Sequence, residues 1–194
     1  TLFMSLSIII PKNNEENNII KTYKKVVAKL ERNKINYEII VVDDFSNDKT
    51  YQFLKKIKKK NLKILKNKYP GVGNAIKIGI KYSKKKYTCI FMADTSDDID
   101  NLLTYYKLMK SEKIDGIFGS RFMSSSNIQN YPFFKLILNR LFNKFTQIIF
   151  FSNYNDFTNA FKIYNSKKLL KIFPLYADKF DIFLEIPLKF YNKK

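Results

Sequence analysis

This sequence predicts an α/β fold with a mostly parallel, three-layer sheet, and three observations predict it. From Leu6 to Gly119, short apolar runs of strand length alternate with segments of helical period. The runs are continuously apolar, as in strands covered on both faces. Three of them end in polar clusters, PKNNEE, DDFSND and ADTSDD. Parallel strands bring such clusters to one rim, where open α/β sheets bind ligands.

Taken in order, Leu6 to Ile10 reads as the first strand, stopped by Pro11. Asn13 and Asn14 offer caps, Glu15 and Glu16 suit a helix N-terminus, and Ile19, Ile20, Tyr23, Val26, Val27 and Leu30 make one helix face. Tyr37 to Val42 is a second strand ending in Asp43 and Asp44. The turn-forming cluster FSNDKT leads into a helix with Phe53, Leu54 and Ile57, and Leu62 to Leu65 is a short third strand. In NKYPGVGNAIKIGIKYS, Gly71 and Gly73 permit a tight turn. Ala75, Ile76, Gly79 and Ile80 form a small-residue helix face able to lie close to a sheet. The segment lacks the third glycine of the dinucleotide fingerprint and the Gly-Lys-Ser/Thr of a P-loop, so neither phosphate cradle is present.

The next run, YTCIFMADTSDDID, breaks from Cys89–Met92 into Asp94, Asp97, Asp98 and Asp100. Clustered carboxylates favour a hard cation such as Mg²⁺ or Mn²⁺. They equally suit the cap and first turn of the next helix, the reading preferred for Asp98 and Asp100. A helix with Leu102, Leu103, Tyr106 and Met109 and a strand at Ile117 to Gly119 follow, ending in GSRF.

Beyond Arg121 the character changes. SSSNIQN has loop composition, and Phe133 to Phe151 forms an amphipathic helix. Its stripe is Phe134, Ile137, Leu138, Leu141, Phe142, Phe145, Ile148 and Ile149, opposite Lys135, Asn139, Arg140, Asn143, Lys144 and Gln147. Two placements fit this pattern: the stripe packs on the sheet, or it lies in a membrane interface. The remaining residues alternate short strand and helix signals, with no sharp boundary for a second domain.

Composition narrows the chemistry. In 194 residues there is no histidine and one cysteine, Cys89. This excludes Ser-His-Asp triads, Cys-His pairs and zinc held by histidine or thiolates, so any metal rests on carboxylates. A lone cysteine in a strand gives no disulfide framework and suits a reducing compartment. The net charge of +19, from 36 Lys and Arg against 17 acids, points to an anionic partner. A nucleic-acid-binding module is one reading, but acidic clusters on one rim repel phosphates. No signal peptide and no bilayer-spanning apolar run are expected. The opening at Thr1 suggests part of a longer product.

In this order, SIIIPKNNEE, EIIVVDDFSNDKT, GVGNAIKIGI, FMADTSDDID, GSRF, YPFFKLILNR and NDFTNAFKIYNS resemble the GT-A family 2 glycosyltransferases, most closely the dolichyl- or polyprenyl-phosphate sugar transferases. The resemblance runs from Leu6 to about Leu188. It implies a GT-A (Rossmann-like) α/β/α domain, with residues 1–123 as its nucleotide-sugar-binding half. Residues 124–194 would be an acceptor-side half, truncated at its C-terminus.

The implied activity is inverting transfer of a hexose from a GDP- or UDP-sugar to a polyprenyl or dolichyl phosphate, at the inner face of the cytoplasmic membrane. A hydroxyl acceptor is the alternative. Pro11, Asn13, Glu15, Asp43, Asp44, Ala93 and Asp94 would bind the nucleotide. Asp94, Ser96 and Asp97 would hold Mg²⁺ or Mn²⁺. Asp94 and Arg121 are the expected catalytic pair. Arg121, Lys135 and Arg140 would receive the acceptor phosphate, and Asp156 is the candidate base for a hydroxyl acceptor. Met92 replaces the first acid of the family's Asp-x-Asp, and Asn13 replaces a frequent aromatic residue.

Overall fold

Six strands form one sheet in the order β3-β2-β1-β4-β6-β5. The computed structural model describes residues 5–16, 18–57, 59–93, 97–112, 114–122 and 133–192. The first four sheet positions are β3 (Leu62–Lys66), β2 (Asn36–Asp43), β1 (Ser5–Lys12) and β4 (Tyr87–Ile90), all mutually parallel. β6 (Lys162–Asn165) runs antiparallel between β4 and β5 (Gly116–Phe118). The two halves of the chain therefore share one sheet.

The crossover helices are α1 (Ile19–Arg32), α2 (Thr50–Lys55), α3 (Val72–Tyr82) and α4 (Ile99–Ser111). They are followed by α5 (Phe133–Ile149), α6 (Ser166–Lys171) and α7 (Ile182–Asn192). On one face of the sheet, Leu6, Ile8, Ile10, Ile39, Val41, Cys89 and Phe91 pack with Ile19, Tyr23, Val26 and Leu30 of α1 and Leu102 and Met109 of α4. On the other, Ile9 and Ile90 pack with Ile76 and Ile80 of α3 and with Leu169, Ile182 and Ile186. Both faces of the central strands are thus covered, which is why they read as unbroken apolar runs.

Gly79 lets α3 approach closely, because a Cβ there would lie 2.4 Å from Ile9 Cγ2. Pro11 does not stop β1. The strand continues to Lys12, whose Cα partner is Asp43 of β2, because proline lacks only the donor and its fixed φ suits extended backbone.

The orientation of α5 decides against one of the two placements its pattern allows. Asn143 and Thr146, on its polar side, are buried. Phe134, Leu138, Leu141 and Phe145 are 80, 68, 62 and 62% exposed, and Ile148 and Ile149 are exposed as well. The stripe does not pack on the sheet. Polar side chains attach the helix instead: Asn143 Oδ1 accepts from the Phe157 N–H at 2.7 Å, and Asn139 Oδ1 accepts from Thr158 Oγ1 at 2.9 Å.

Candidate functional site

The carboxyl ends of β1, β2 and β4 meet at one rim, around a cavity of about 460 Å³. Its lining includes Pro11, Asn13 and Glu15 from the end of β1, Asp44 from the end of β2, and Met92 and Ala93 beyond β4. Five of the residues expected to bind a nucleotide, Pro11, Asn13, Glu15, Asp44 and Ala93, therefore share one hollow. Asp43 lines a neighbouring one of about 230 Å³ with Phe45, Ser46, Asn47, Lys66 and Asn67. Asp94 and Ser96 lie outside the described residues, and so does the side chain of Lys135.

The acids on this rim are not bare. Asp43 Oδ1 sits 2.7 Å from Lys12 Nζ, and the same ammonium donates to Ser46 Oγ at 2.8 Å. Both members of the pair are buried. Asp44 accepts from Asn67 Nδ2 at 2.8 Å and from the Gly71 N–H at 2.9 Å, so it holds the glycine turn in place. That turn requires glycine: Gly71 has φ 122°, and a Cβ would fall 2.2 Å from the Asp178 carbonyl oxygen. The same oxygen accepts from the Gly73 N–H at 2.9 Å, docking the α6–α7 connection on the start of α3. Lys179 and Phe180 of that connection also line the cavity.

The tips of β1 and β2 are zipped together. The Asn14 N–H donates to Ser46 Oγ, the Asn47 N–H to Asn14 Oδ1, and the Glu16 N–H to Asp48 Oδ2. Glu15 accepts from Asn18 Nδ2 at 3.0 Å, and Thr22 of α1 donates to the Ala93 carbonyl at 3.0 Å, tying the tip of β4 to α1.

Beyond β4, Asp97 accepts from the Met92 N–H at 2.7 Å. Asp98 is the N-cap of α4, accepting from the Asp100 N–H, and Asp100 is ion-paired with Lys29. Helix chemistry accounts for both. Among the described residues no group of three or more His, Cys, Asp or Glu is placed to hold a metal ion. The donor chemistry nevertheless suits a hard cation, since Asp97 and its sequence neighbours Asp94 and Ser96 offer only oxygen.

A second cluster gathers Arg121, Arg140 and Asp156. Arg121 forks onto Asp156, Nε to Oδ2 at 2.9 Å and Nη2 to Oδ1 at 2.7 Å, and its N–H also reaches Oδ2 at 2.8 Å. Asp156 is fully buried with both oxygens engaged, so a base role would require breaking this pair. Arg121 and Arg140 lie on the Phe122 ring at 5.5 and 5.6 Å, which brings two of the expected acceptor-phosphate residues together. Arg121 also donates to Thr158 Oγ1 at 3.0 Å, and Thr158 to Asn139 Oδ1 of α5 at 2.9 Å. The arginine pair is thereby connected to the helix that carries the exposed stripe.

The Glycosyl transferase family 2 profile matches residues 7–173. The chain belongs to that family. It is 30% identical over 197 residues to a dolichyl-phosphate beta-glucosyltransferase of Dictyostelium discoideum, covering 93% of this chain and 60% of the relative. To a dolichol-phosphate mannosyltransferase of Pyrococcus furiosus it is 27% identical over 139 residues, covering 71% of this chain and 39% of the relative. It spans less than two thirds of either relative's length.

Among solved structures, this family 2 chain shares its fold with the glucosyl-3-phosphoglycerate synthase of Mycobacterium tuberculosis bound to Mn²⁺, UDP and glucosyl-3-phosphoglycerate. The TM-score is 0.74 at 12% identity, covering 98% of this chain and 66% of that one. It also matches S. aureus TarS 1-349, with a TM-score of 0.68 at 21% identity, covering 97% of this chain and 56% of that one. The fold these neighbours share with the chain is the GT-A fold.

Sequence reasoning missed Lys12, Gly71 as an Asp44 ligand, Lys179 and Phe180. Lys12 carried a weak signal, a charge adjoining an otherwise apolar strand. Lys179 and Phe180 carried none, because only the tertiary docking of α6–α7 on α3 brings them to the rim.

Proposed function

We propose that this chain is the catalytic part of a glycosyltransferase moving a sugar from a nucleotide-diphosphate sugar to a polyprenyl or dolichyl phosphate at a membrane surface. The observation that carries this reading is the convergence of the β1, β2 and β4 tips on one cavity in a family 2 chain. Glu15 and Asp44 present acceptor oxygens to the ribose and base. Asp43, neutralised by Lys12, offers its free lone pairs beside an ammonium, a mixed donor–acceptor edge of the kind a base requires. Lys179, in the lining of the same cavity, supplies positive charge to the diphosphate.

Asp94 with Ser96 and Asp97 would hold Mg²⁺ or Mn²⁺, which when bound neutralises charge on the leaving diphosphate. Arg121, held in place by its fork onto Asp156, and Arg140 receive the acceptor phosphate. A phosphate is already ionised near neutral pH, so the reaction needs no strong base, in keeping with a chain that has no histidine. Attachment to the membrane falls to the outward stripe of α5, with Arg140 and Lys144 beside it for anionic headgroups. Among the described residues no helix is long and apolar enough to cross a membrane.

The test is a panel of UDP- and GDP-sugars screened by thermal shift with and without Mn²⁺, followed by transfer to polyprenyl phosphate in detergent. A matching donor at a hundred times its Kd should stabilise the fold by about 2.7 kcal/mol. Asp94→Asn should remove the Mn²⁺-dependent part of this stabilisation and the transfer. No stabilisation by any sugar nucleotide would refute the reading.

A further inference from the structure

At the start of β6 stands a lysine that the reaction as described does not use. Lys162 pairs in register with Ile90 of β4 and Phe118 of β5, so it lies at the rim where those strands end, inside the sheet, with only 1% of its surface exposed. Its Nζ donates to the Phe157 carbonyl at 3.0 Å and to the Asn159 carbonyl, bracketing Thr158. The Phe118 and Tyr154 rings flank the ammonium at 6.0 and 5.9 Å. Among the described residues no carboxylate lies within ion-pair distance of it. A methionine would fill the same space without the cost of a buried charge, so what the lysine adds is its donors.

The turn those donors grip is the one that holds Arg121, through Asp156 and Thr158. Asp156 immediately precedes Phe157, and Thr158 links Arg121 to Asn139. We propose that Lys162 is a positioning residue for the acceptor side: its ammonium clasps the Phe157–Asn159 turn from within the sheet and holds the Asp156–Arg121 pair in the orientation that receives the acceptor phosphate. This role rests on the acceptor assignment made above.

The clasp is set to respond to pH near neutrality. Burial pulls Lys162 down to about 7, Asp156 and Asp97 oppose that fall, and Arg121 adds to it. Tyr154, held up by burial, stays neutral throughout and donates to the Gly119 carbonyl. Below neutrality the turn is held by charge-assisted bonds, and above it by the weaker donors of a neutral amine. The folded value lies below the unfolded one, so burying the ammonium costs most at low pH. That cost is relieved as pH rises from about 7 toward the ordinary lysine value.

The experiment compares the wild-type chain with Lys162→Met from pH 6 to 8.5, with polyprenyl phosphate as acceptor. The acceptor's own ionisation is common to both proteins and cancels in the ratio of their acceptor KM values. At pH 6 the variant should raise acceptor KM roughly tenfold, the scale of losing an orienting partner, with donor KM within about twofold. The ratio should shrink toward pH 8.5 as the wild type loses its charge. Equal changes in acceptor and donor KM, or a ratio independent of pH, overturn the proposal.

Hydrogen exchange over residues 154–162 reads the clasp without any substrate. Exchange should be faster in the variant at pH 6, and the wild type should approach the variant at pH 8.5 once intrinsic rates are divided out. If no lipid phosphate supports transfer, the functional reading fails while this exchange result still decides the clasp. If the variant does not fold, wild-type exchange over 154–162 that follows that of β2 across the pH range overturns the proposal.

Discussion

Replacing Phe134, Leu138, Leu141 and Phe145 together with glutamine tests the outward face of α5. These side chains are 62–80% exposed, so the native fold gains little from them. Glutamine keeps helix propensity close to that of leucine. Full burial of a Leu or Phe side chain is worth about 1.5–3 kcal/mol. With that much surface open and partial insertion into the interface, each contributes about 1 kcal/mol to membrane binding. The quadruple variant should therefore bind anionic vesicles roughly 10³-fold more weakly, read by co-sedimentation. Its melting temperature should stay within a few degrees of wild type, since about 1 kcal/mol corresponds to only about 2–4 °C in a domain of this size. Unchanged vesicle binding would refute membrane docking by this face. A large fall in melting temperature would refute the premise that the stripe is uncovered.

Three further outcomes follow from the geometry. Gly71→Ala should destabilise by at least about 1–3 kcal/mol, from φ 122° and the Asp178 carbonyl in the way of a Cβ, and it should loosen donor binding; a wild-type melting temperature would contradict the turn's role. Arg121→Ala should cost about 3–5 kcal/mol by leaving Asp156 buried and unpaired, so the acceptor role is better read with Arg121→Lys. That variant keeps charge but not the fork, and should raise acceptor KM more than donor KM; equal rises would mark Arg121 as structural. Burial alone would raise Glu38, but bonds from Lys63, the Lys84 N–H and Ser7 outweigh it and hold the carboxyl below its ordinary value. Its stabilisation is present above the ordinary carboxylate range and is lost as pH falls through the depressed value. Glu38→Gln should accordingly flatten the acid limb of the stability profile measured by urea unfolding, and an unchanged limb would remove Glu38 from it.

The parallel core was legible because Ile8–Ile10, Ile39–Val42 and Cys89–Phe91 are buried from both sides and leave no doubt about period. The three polar tips were legible for the same reason: a shared strand direction places them together whatever the side-chain detail. The direction of α5 was not. Amphipathicity defines a stripe but not which side meets the protein, and here Asn139 and Asn143 supply the attachment that apolar residues normally provide. The place of β6 was equally hidden, because four residues, KIYN, carry no sign of strand polarity or neighbours. The Lys12–Asp43 pair escaped notice because a lysine in a chain with 36 basic residues reads as solvated until its burial is seen.

The late strand inserted between β4 and β5 also bears on how the molecule is made. Among the described residues β5 has no ladder partner except β6, and β4 has β6 on its outer edge. Until the ribosome has released residues beyond Asn165, the emerging polypeptide exposes an unfilled slot flanked by hydrophobic rungs. A fragment ending near residue 123 would keep that slot permanently, and should self-associate instead of serving as an isolated donor-binding unit.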